Sequence, residues 1–345
     1  MGQQPSLRLT TRHLNRALLA RQLLLERSRL SVVDAVEQVG GLQAQYAPSA
    51  YVGLWTRLAD LARDDLTRAL EARTIVTATL MRATIHVVSA REHWRFAEGV
   101  REARRVWLAR VDRAFDAAAM DADGARLRAL LADSPRDARD LGDLGSGFLG
   151  RIGVWVDLVR VPPSGTWERR RADRLALAEE WIGPSDSTPE EGRAHLVRAY
   201  LRAFGPAPWK DVASWSGLSV GRVQEAASDL ELARFQDERG MELADLPGAP
   251  LPDPDTPAPV RFLPHWDANL LVHARRTGIL PEEHRPRVFS TKNPFSVGTV
   301  LVDGRVVASW SVREGRIEVT SFEPIGRRER HAVEEERAAL EAFHA

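Results

Sequence analysis

The chain has 345 residues, 44% hydrophobic and 28% charged, with 48 basic side chains, 48 acidic ones and no cysteine. The length is enough for two or more units with cores of their own. Balanced charge excludes a globally basic nucleic-acid binder but not a locally basic groove, and the missing thiols exclude a disulfide framework, a thiolate nucleophile and the commonest zinc ligands. No run approaches the length of a membrane span and no charged-then-apolar segment opens the sequence, so a cytoplasmic protein is expected. Lysine occurs only at Lys210 and Lys292. Nearly every cation is therefore arginine, the better group for bidentate phosphate and guanine contacts, although a GC-rich coding sequence produces the same bias.

Residues 10–27 predict a helix capped by Thr10 or Thr11, with Leu14, Leu18 and Leu25 in its apolar stripe. Ser31 caps a second helix. There follows Gly40-Gly41-Leu42-Gln43-Ala44-Gln45-Tyr46-Ala47-Pro48, where the glycine pair permits positive φ and Pro48 is expected to push Ala47 out of the helical region. In an extended segment Gln43 and Gln45 point the same way and present two neutral amides to one place; the plainer reading is that they cap helix ends or face solvent. A third helix runs through Tyr51 and Trp55, and Asp64-Asp65 opens a fourth. Residues 74–80 and 83–88 are β-branched strands joined at Met81-Arg82. Helices followed by a two-stranded hairpin are the layout of a winged helix-turn-helix.

The pattern repeats. Residues 90–115 and 124–131 predict helices, and 154–161 and 166–169 predict strands joined by a tight turn at Pro162-Pro163-Ser164-Gly165, the second running into Arg169-Arg170-Arg171. In a third copy Thr188 and Pro189 start a helix, Trp209 to Trp215 forms a short one, Gly217 makes the turn, and Ser219 caps a helix over 220–230 carrying Arg222 and Gln224. Residues 232–246 supply its wing; such a unit serves equally as a packing module. A Pro- and Asp-rich linker covers 247–259. Strands at 260–263, 287–289, 299–302, 306–312 and 316–319 follow, with a hairpin turn at Asp303-Gly304, and suggest a small barrel. A charged helix over 328–343 ends the chain. The fold class is therefore α+β: three tandem winged helix-turn-helix units, 1–90, 91–183 and 184–248, then a small C-terminal β-barrel domain with a terminal helix, 249–345.

Leu42-Gln43-Ala44-Gln45 with Tyr51-Val52-Gly53-Leu54-Trp55, then Leu80 to His86, Phe262-Leu263-Pro264 with Asp267, and Val302-Asp303-Gly304-Arg305 with Trp310, resemble the AlkZ/YcaQ family of winged-helix DNA glycosylases. The likeness runs along nearly the whole chain in the expected order. It implies a C-shaped DNA clamp that excises alkylated purines, including N7-linked adducts and interstrand crosslinks, in base-excision repair or antibiotic self-resistance. The family motif is Gln-x-Gln or Gln-x-Asp; Gln43 and Gln45 match the first form and are the expected catalytic pair. Residues 290–298 depart from the simpler glycine turn of the family.

The chemistry fits those residue types. Removing a normal base needs an acid for the leaving group or a base for water. An N7-alkylated guanine is already cationic and leaves neutral, so two amides whose oxygens accept the protons of a water can suffice to align it at C1′. DNA contacts are expected at Arg82, Thr84 and His86 of the first wing, at Arg57 and Tyr46 near the motif, at Arg169, Arg170 and Arg222, and at Lys292 and Asn293 in the departing loop. His86 is equally read as structural, Arg169 to Arg171 as a solvated strand face, and Tyr46, Tyr51 and Trp55 as stacking residues or core. His265 and His273 stand in no zinc pattern, and no metal or cofactor is expected. The partner is double-stranded DNA containing alkylated purines, bound by a monomer with no membrane involved. The alternatives are a non-catalytic winged-helix DNA-binding protein, as a regulator or lesion binder, and a protein that sequesters adducts without turnover.

Overall fold

The computed structural model describes residues 7–144, 151–271, 278–289 and 296–345. Strand β1 (Arg8–Leu9) leads into helix α1 (Thr11–Arg21), where the Thr10 hydroxyl accepts the His13 N–H and His13 Nδ1 accepts that of Thr10. The helix stops short of the expected residue 27, because Leu23 adopts a positive φ of 57°. Ser31 caps α2 (Val32–Gln38) through the Asp34 N–H. Gly40 and Gly41, at φ 75° and 82°, then turn the chain into β2 (Leu42–Gln43). A Cβ on Gly41 would meet Val88 Cγ1 at 3.0 Å, so the turn needs glycine for space as well as for φ. Helices α3 (Ala47–Trp55) and α4 (Arg63–Glu71) follow, then strands β3 (Ile75–Thr79) and β4 (Ile85–Ser89) as predicted. Ser89 caps the long helix α5 (Ala90–Val111), and Asp116 caps α6 (Ala117–Leu131).

The second hairpin differs from expectation. After β5 (Arg136–Asp137), the first part of the run predicted as strand is the short helix α7 (Ile152–Trp155), and only β6 (Leu158–Arg160) is extended. A continuous apolar run satisfies a buried helix as well as a buried strand, and Val154 and Val156 are buried in this one. The partner of β6 is β7 (Arg174–Leu177), not residues 166–169. Trp167 instead packs edge-on against Tyr51 and Phe343, and the Ser164 hydroxyl donates to Arg171 O (2.6 Å) and accepts from Asp173 N (2.7 Å). Arg169, Arg170 and Arg171 therefore lie on a loop, not on a strand face.

Helices α8 (Ala178–Ile182) and α9 (Pro189–Phe204) come next, the latter with a full Thr188–Glu191 capping box. Gly217, at φ 85°, turns α10 (Trp209–Ser216) into α11 (Val220–Ala226), capped by Ser219 and shorter than predicted. Strands β8 (Ala233–Asp237) and β9 (Glu242–Asp245) pair as an antiparallel hairpin over residues expected as a wing, and β1 joins them as a parallel third strand, which sequence reading missed. Beyond β10 (Arg261–Leu263), residues predicted as strand fall in the helical turn α12 (Arg285–Val288), where Pro286 fits the first turn. Strands β11 (Gly298–Val302), β12 (Arg305–Arg313) and β13 (Arg316–Ser321) complete an antiparallel meander with β10, under helix α13 (Arg327–His344). Asp303 and Gly304 both take positive φ at the tight turn, as their identity demands. Among the described residues β10 and β13 are edges and do not pair, so an open four-stranded sheet stands where a barrel was predicted.

The hairpins of the first two predicted units do not keep separate sheets. They merge into one six-stranded sheet, order β2-β4-β3-β6-β7-β5, through the pairing of Thr77 with Arg160 and Ala78 with Val159. One face, with Val76, Ala78, Val88 and Val159, packs on α5, α9 and α10. The other, with Leu42, Ile75 and Val87, packs on α2 to α4 and reaches Phe262, Trp310 and Leu340 of the C-terminal sheet and helix. No described helix is long and apolar enough to cross a membrane.

Ion pairs made by buried arginines tie the ends of the chain together. Arg21 forks onto Asp245 at 2.6 and 2.7 Å, and Arg16 pairs with Asp303 in the β11–β12 turn. Arg57 donates to Asp267 (2.9 Å), to Gly53 O (2.8 Å) and to Gln22 Oε1 (3.2 Å), while Asn269 bridges Asp267 and Gln22. Removing one member of such a pair leaves an uncompensated buried charge, which costs far more than the pair contributes. Asp267→Ala is expected to lower unfolding free energy by about 3–5 kcal/mol, and the double substitution Arg57→Met/Asp267→Leu by clearly less. Urea unfolding of the two variants measures this; equal or greater loss in the double variant would refute the clamp.

Candidate active site

The glutamine segment is held by two strand residues. Leu42 pairs with Val87 and Gln43 with His86, and Ala44 N–H extends the ladder to Ile85 O at 2.9 Å. Residues directly opposite across strands share a face, so Gln43 and His86 lie side by side, on the face that also carries Ala78. Gln43 is 8% exposed and Gln45 is exposed. Gln43 Oε1 accepts from Arg82 Nη2 at 2.8 Å, and Gln45 Oε1 accepts from Ile85 N–H at 2.7 Å. Both neighbours are pure donors, which fixes which end of each amide is oxygen. Each oxygen keeps one lone pair, and among the described residues no protein acceptor takes either amide nitrogen. Pro48 sits in the first turn of α3 rather than before it; the extended residue is Tyr46, at φ −127° and ψ 117°.

Arg82 is turned inward from the hairpin tip. It and Ala83 adopt left-handed backbone, both at φ 55°, and Nη1 donates to Trp215 O at 2.5 Å, in the last turn of α10. Burial lowers its pKa to about 10, so it remains charged at neutral pH. The residue expected at phosphate thus spends two N–H groups joining Gln43 to α10. His86 is 3% exposed. Its Nδ1 lies 3.0 Å from Thr84 O, a group that can only accept, so Nδ1 carries the proton and Nε2 is left as an acceptor. Burial, with the Arg82 charge beside it, pushes its pKa down to about 3. Thr84 is half-buried and its hydroxyl donates to Met81 O.

The other expected contact residues are scattered. Arg57 is 1% exposed and belongs to the Asp267 clamp, because its guanidinium finds its acceptors inside the protein. Arg170 donates to the Tyr46 hydroxyl at 2.9 Å and lies 5.9 Å from the ring centroids of both Tyr46 and Trp167. Arg169 leans on Asp137, and Arg171 pairs with Asp173 at 2.8 Å. Arg222, exposed on α11, meets Glu225 at 3.0 Å and Glu102 at 3.6 Å, which raise its pKa. Lys292 and Asn293 lie outside the described residues, as does His273. The structure therefore gathers Gln43, Gln45, Arg82, Thr84 and His86, puts Tyr46 and Arg170 at their flank, and leaves Arg57, Arg169 and Arg222 elsewhere. The Arg82–Gln43 bond was not foreseen: it depends on a left-handed turn at a non-glycine residue and on a carbonyl 133 positions away, and local sequence signals neither.

Residues 36–343 match the family model described as DNA glycosylase AlkZ-like. Among solved structures, the Streptomyces sahachiroi DNA glycosylase AlkZ superposes with a TM-score of 0.82 at 21% identity, over 98% of this chain and 97% of that one. No curated protein matches the chain in sequence. A family match over nearly the whole length, on a fold shared end to end, leaves one assignment. The chain belongs to the AlkZ-like family of DNA glycosylases.

Proposed function

We propose that the protein is a monofunctional glycosylase that hydrolyses the N-glycosidic bond of N7-alkylated purines in double-stranded DNA, with Gln43 and Gln45 as its catalytic residues. The reading includes a monomeric DNA clamp built from three winged modules, 1–90, 91–183 and 184–248, and a C-terminal module, 249–345. It extends to bulky natural-product adducts and interstrand crosslinks, in repair or self-resistance. The observation that carries it is the glutamine pair: one amide in β2 beside a neutral imidazole and one just beyond the strand, each pinned through its oxygen by a fixed donor.

In this reading damage supplies the leaving group, since a cationic purine departs neutral and needs no acid. The protein has to hold a water with a lone pair on C1′, and that requires acceptors for the protons of the water. The second lone pairs of the two amide oxygens and Nε2 of His86 are such acceptors. None is a strong base, so the site favours lesions that are already activated. Arg82 is too positive to stabilise an oxocarbenium ion directly. Its part is positional: it fixes Gln43 Oε1 and ties that amide to α10.

Duplex carrying one N7-methylguanine, treated with enzyme and then cleaved with alkali, tests the proposal. Gln43→Ala and Gln45→Ala are each expected to lower kcat about tenfold or more, in the range of one positioned proton-handling group, with little change in affinity for undamaged duplex. Full-rate excision by the double variant, or comparable excision of unmodified guanine, would overturn it. Arg82→Ala is expected to lower kcat about tenfold at unchanged KM, and to add nothing when Gln43 is already alanine; additive losses would show that Arg82 acts elsewhere. With its pKa held near 3, His86 is neutral throughout the range in which the duplex is stable. Single-turnover rates on N7-methylguanine are accordingly expected to stay flat from about pH 6 to pH 8, whereas a limb near the ordinary histidine value of about 6.5, abolished by His86→Asn, would contradict this assignment.

A further inference from the structure

Six arginines among the described residues are buried: Arg16, Arg21, Arg57, Arg104, Arg261 and Arg160. The first five meet a carboxylate, at Asp303, Asp245, Asp267, Asp157 and Glu336 respectively. Arg160 meets none. It is 4% exposed; Nη1 donates to the Thr79 hydroxyl at 3.2 Å, Nε is buried without a partner, and among the described residues the guanidinium makes no other bond. Burial lowers its pKa to about 10, which leaves it charged at neutral pH. A buried charge without a counter-ion is costly to the fold, so this one points to an anion that arrives from outside.

Its place in the sheet indicates which anion. Thr77, Arg160, Leu175 and Arg136 stand opposite one another on β3, β6, β7 and β5, and residues opposite across strands share a face. On that face Leu42, Ile75 and Val87 belong to the core shared with α3 and α4, whereas Leu158, Leu175 and Leu177 belong to the one shared with α6 and α7. Between the two apolar clusters lies a polar strip of Thr77, Thr79 and Arg160, all buried. One end of the strip reaches the candidate active site, because Thr79 pairs with Ile85, whose N–H holds Gln45. Beyond its other end Arg136 is exposed and forms no ion pair among the described residues. Two strand spacings put Arg136 about 10 Å from Arg160, roughly three nucleotide steps along one DNA strand.

We infer that Arg160 is a phosphate-binding residue: it holds one phosphodiester of the lesion strand near the damaged nucleotide, and so sets the register in which that deoxyribose meets Gln43 and Gln45. The inference rests on the glycosylase reading and adds a fixed point to it. The bond to Thr79, two residues along β3 from Thr77, carries the guanidinium towards the β3–β4 tip and leaves the rest of its fork for phosphate oxygens. Arg160 grips the strand and takes no part in breaking the glycosidic bond.

A structural arginine and a phosphate-binding one respond differently to removal of the charge. Arg160→Met and Arg160→Gln are expected to unfold in urea at the same midpoint as the wild type or a higher one, since no carboxylate is left unpaired. Binding is read by fluorescence anisotropy on duplex with one N7-methylguanine, its sugar 2′-fluorinated so that the base stays attached. The slope of log affinity against log salt is expected to fall by about 1 in both variants. In a second series one phosphate at a time, up to three on either side of the lesion, is replaced by a neutral methylphosphonate. The wild type is expected to lose about tenfold in affinity at one of these positions, where the variants lose nothing further. A lowered midpoint in both variants would show that Arg160 serves the fold, and would overturn the inference. An unchanged salt slope, or a methylphosphonate penalty equal in wild type and variants at every position, would overturn it as well. Excision is then measured on the unfluorinated duplex. Failure of the wild type to release the base counts against the glycosylase reading alone, because the salt slope and the neutralised phosphate judge Arg160 without turnover.

Discussion

Strand β2 is two residues long, and the geometry of the candidate site depends on its pairing with β4. The ladder from Leu42 to Ala44 places Gln43 opposite His86 and brings the Ile85 N–H to Gln45 Oε1. A slip of one residue would exchange the faces, sending Gln43 into the core that holds Leu42 and Val87. The register is protected on both sides. Upstream, Gly41 fits only because Val88 leaves room for a hydrogen; downstream, α3 begins at once and is buried along its whole length. The amides are therefore held in place by the protein alone, the preorganisation that their proposed positional role requires.

The same sheet explains how distant parts of the chain meet at the motif. Its β3–β6 pairing fuses what sequence reads as two separate hairpins, and each face of the resulting sheet serves a different core. Arg82 leaves the β3–β4 turn and ends on the carbonyl of Trp215, so α10 and Gln43 share one guanidinium. On the other side, the Arg57–Asp267 pair fastens the segment after β10 to the end of α3, and this brings Pro264 and His265 alongside Tyr46. Two arginines that look like surface DNA ligands in the sequence are thus the fastenings of the site.

Much of this was legible in the chain, and the failures have physical causes. Thr10, Ser31, Thr188 and Ser219 cap the helices they were expected to cap, and Asp303-Gly304 makes the turn its residues favour, because caps and tight turns are decided within a few residues. The family was recognisable from motifs spread over the whole length. What local pattern could not supply was long-range: the fusion of hairpins, the parallel strand β1, the open edge of the C-terminal sheet. Residues 152–155 and 166–169 show the limit. The first belongs to an apolar run but folds as a helical turn with Ile152 and Val154 buried, and the second, Thr166-Trp167-Glu168-Arg169, gives up its one apolar side chain, Trp167, to a ring cluster with Tyr51 and Phe343. The expected DNA contacts were the least legible, since an arginine reads the same whether its partner is a phosphate or an aspartate.

That ambiguity bears on how a chain of zero net charge can serve DNA. Many of its arginines are already paired: Arg16, Arg21 and Arg57 in the interior, Arg101 and Arg104 on Asp157, and Arg222 on Glu102 and Glu225. A paired cation must give up its carboxylate to meet a phosphate, so its contribution to binding is reduced by what it leaves behind. Non-specific attraction, which grows with the number of phosphates neutralised, is correspondingly restrained. In the proposed reading discrimination then falls to the contacts at the lesion, where the chain offers two amides and an imidazole kept uncharged by burial, with the charge of Arg82 spent on Gln43 Oε1 and Trp215 O. Under that proposal, a restrained general hold on DNA combined with a site of neutral acceptors suits a lesion that carries its own positive charge.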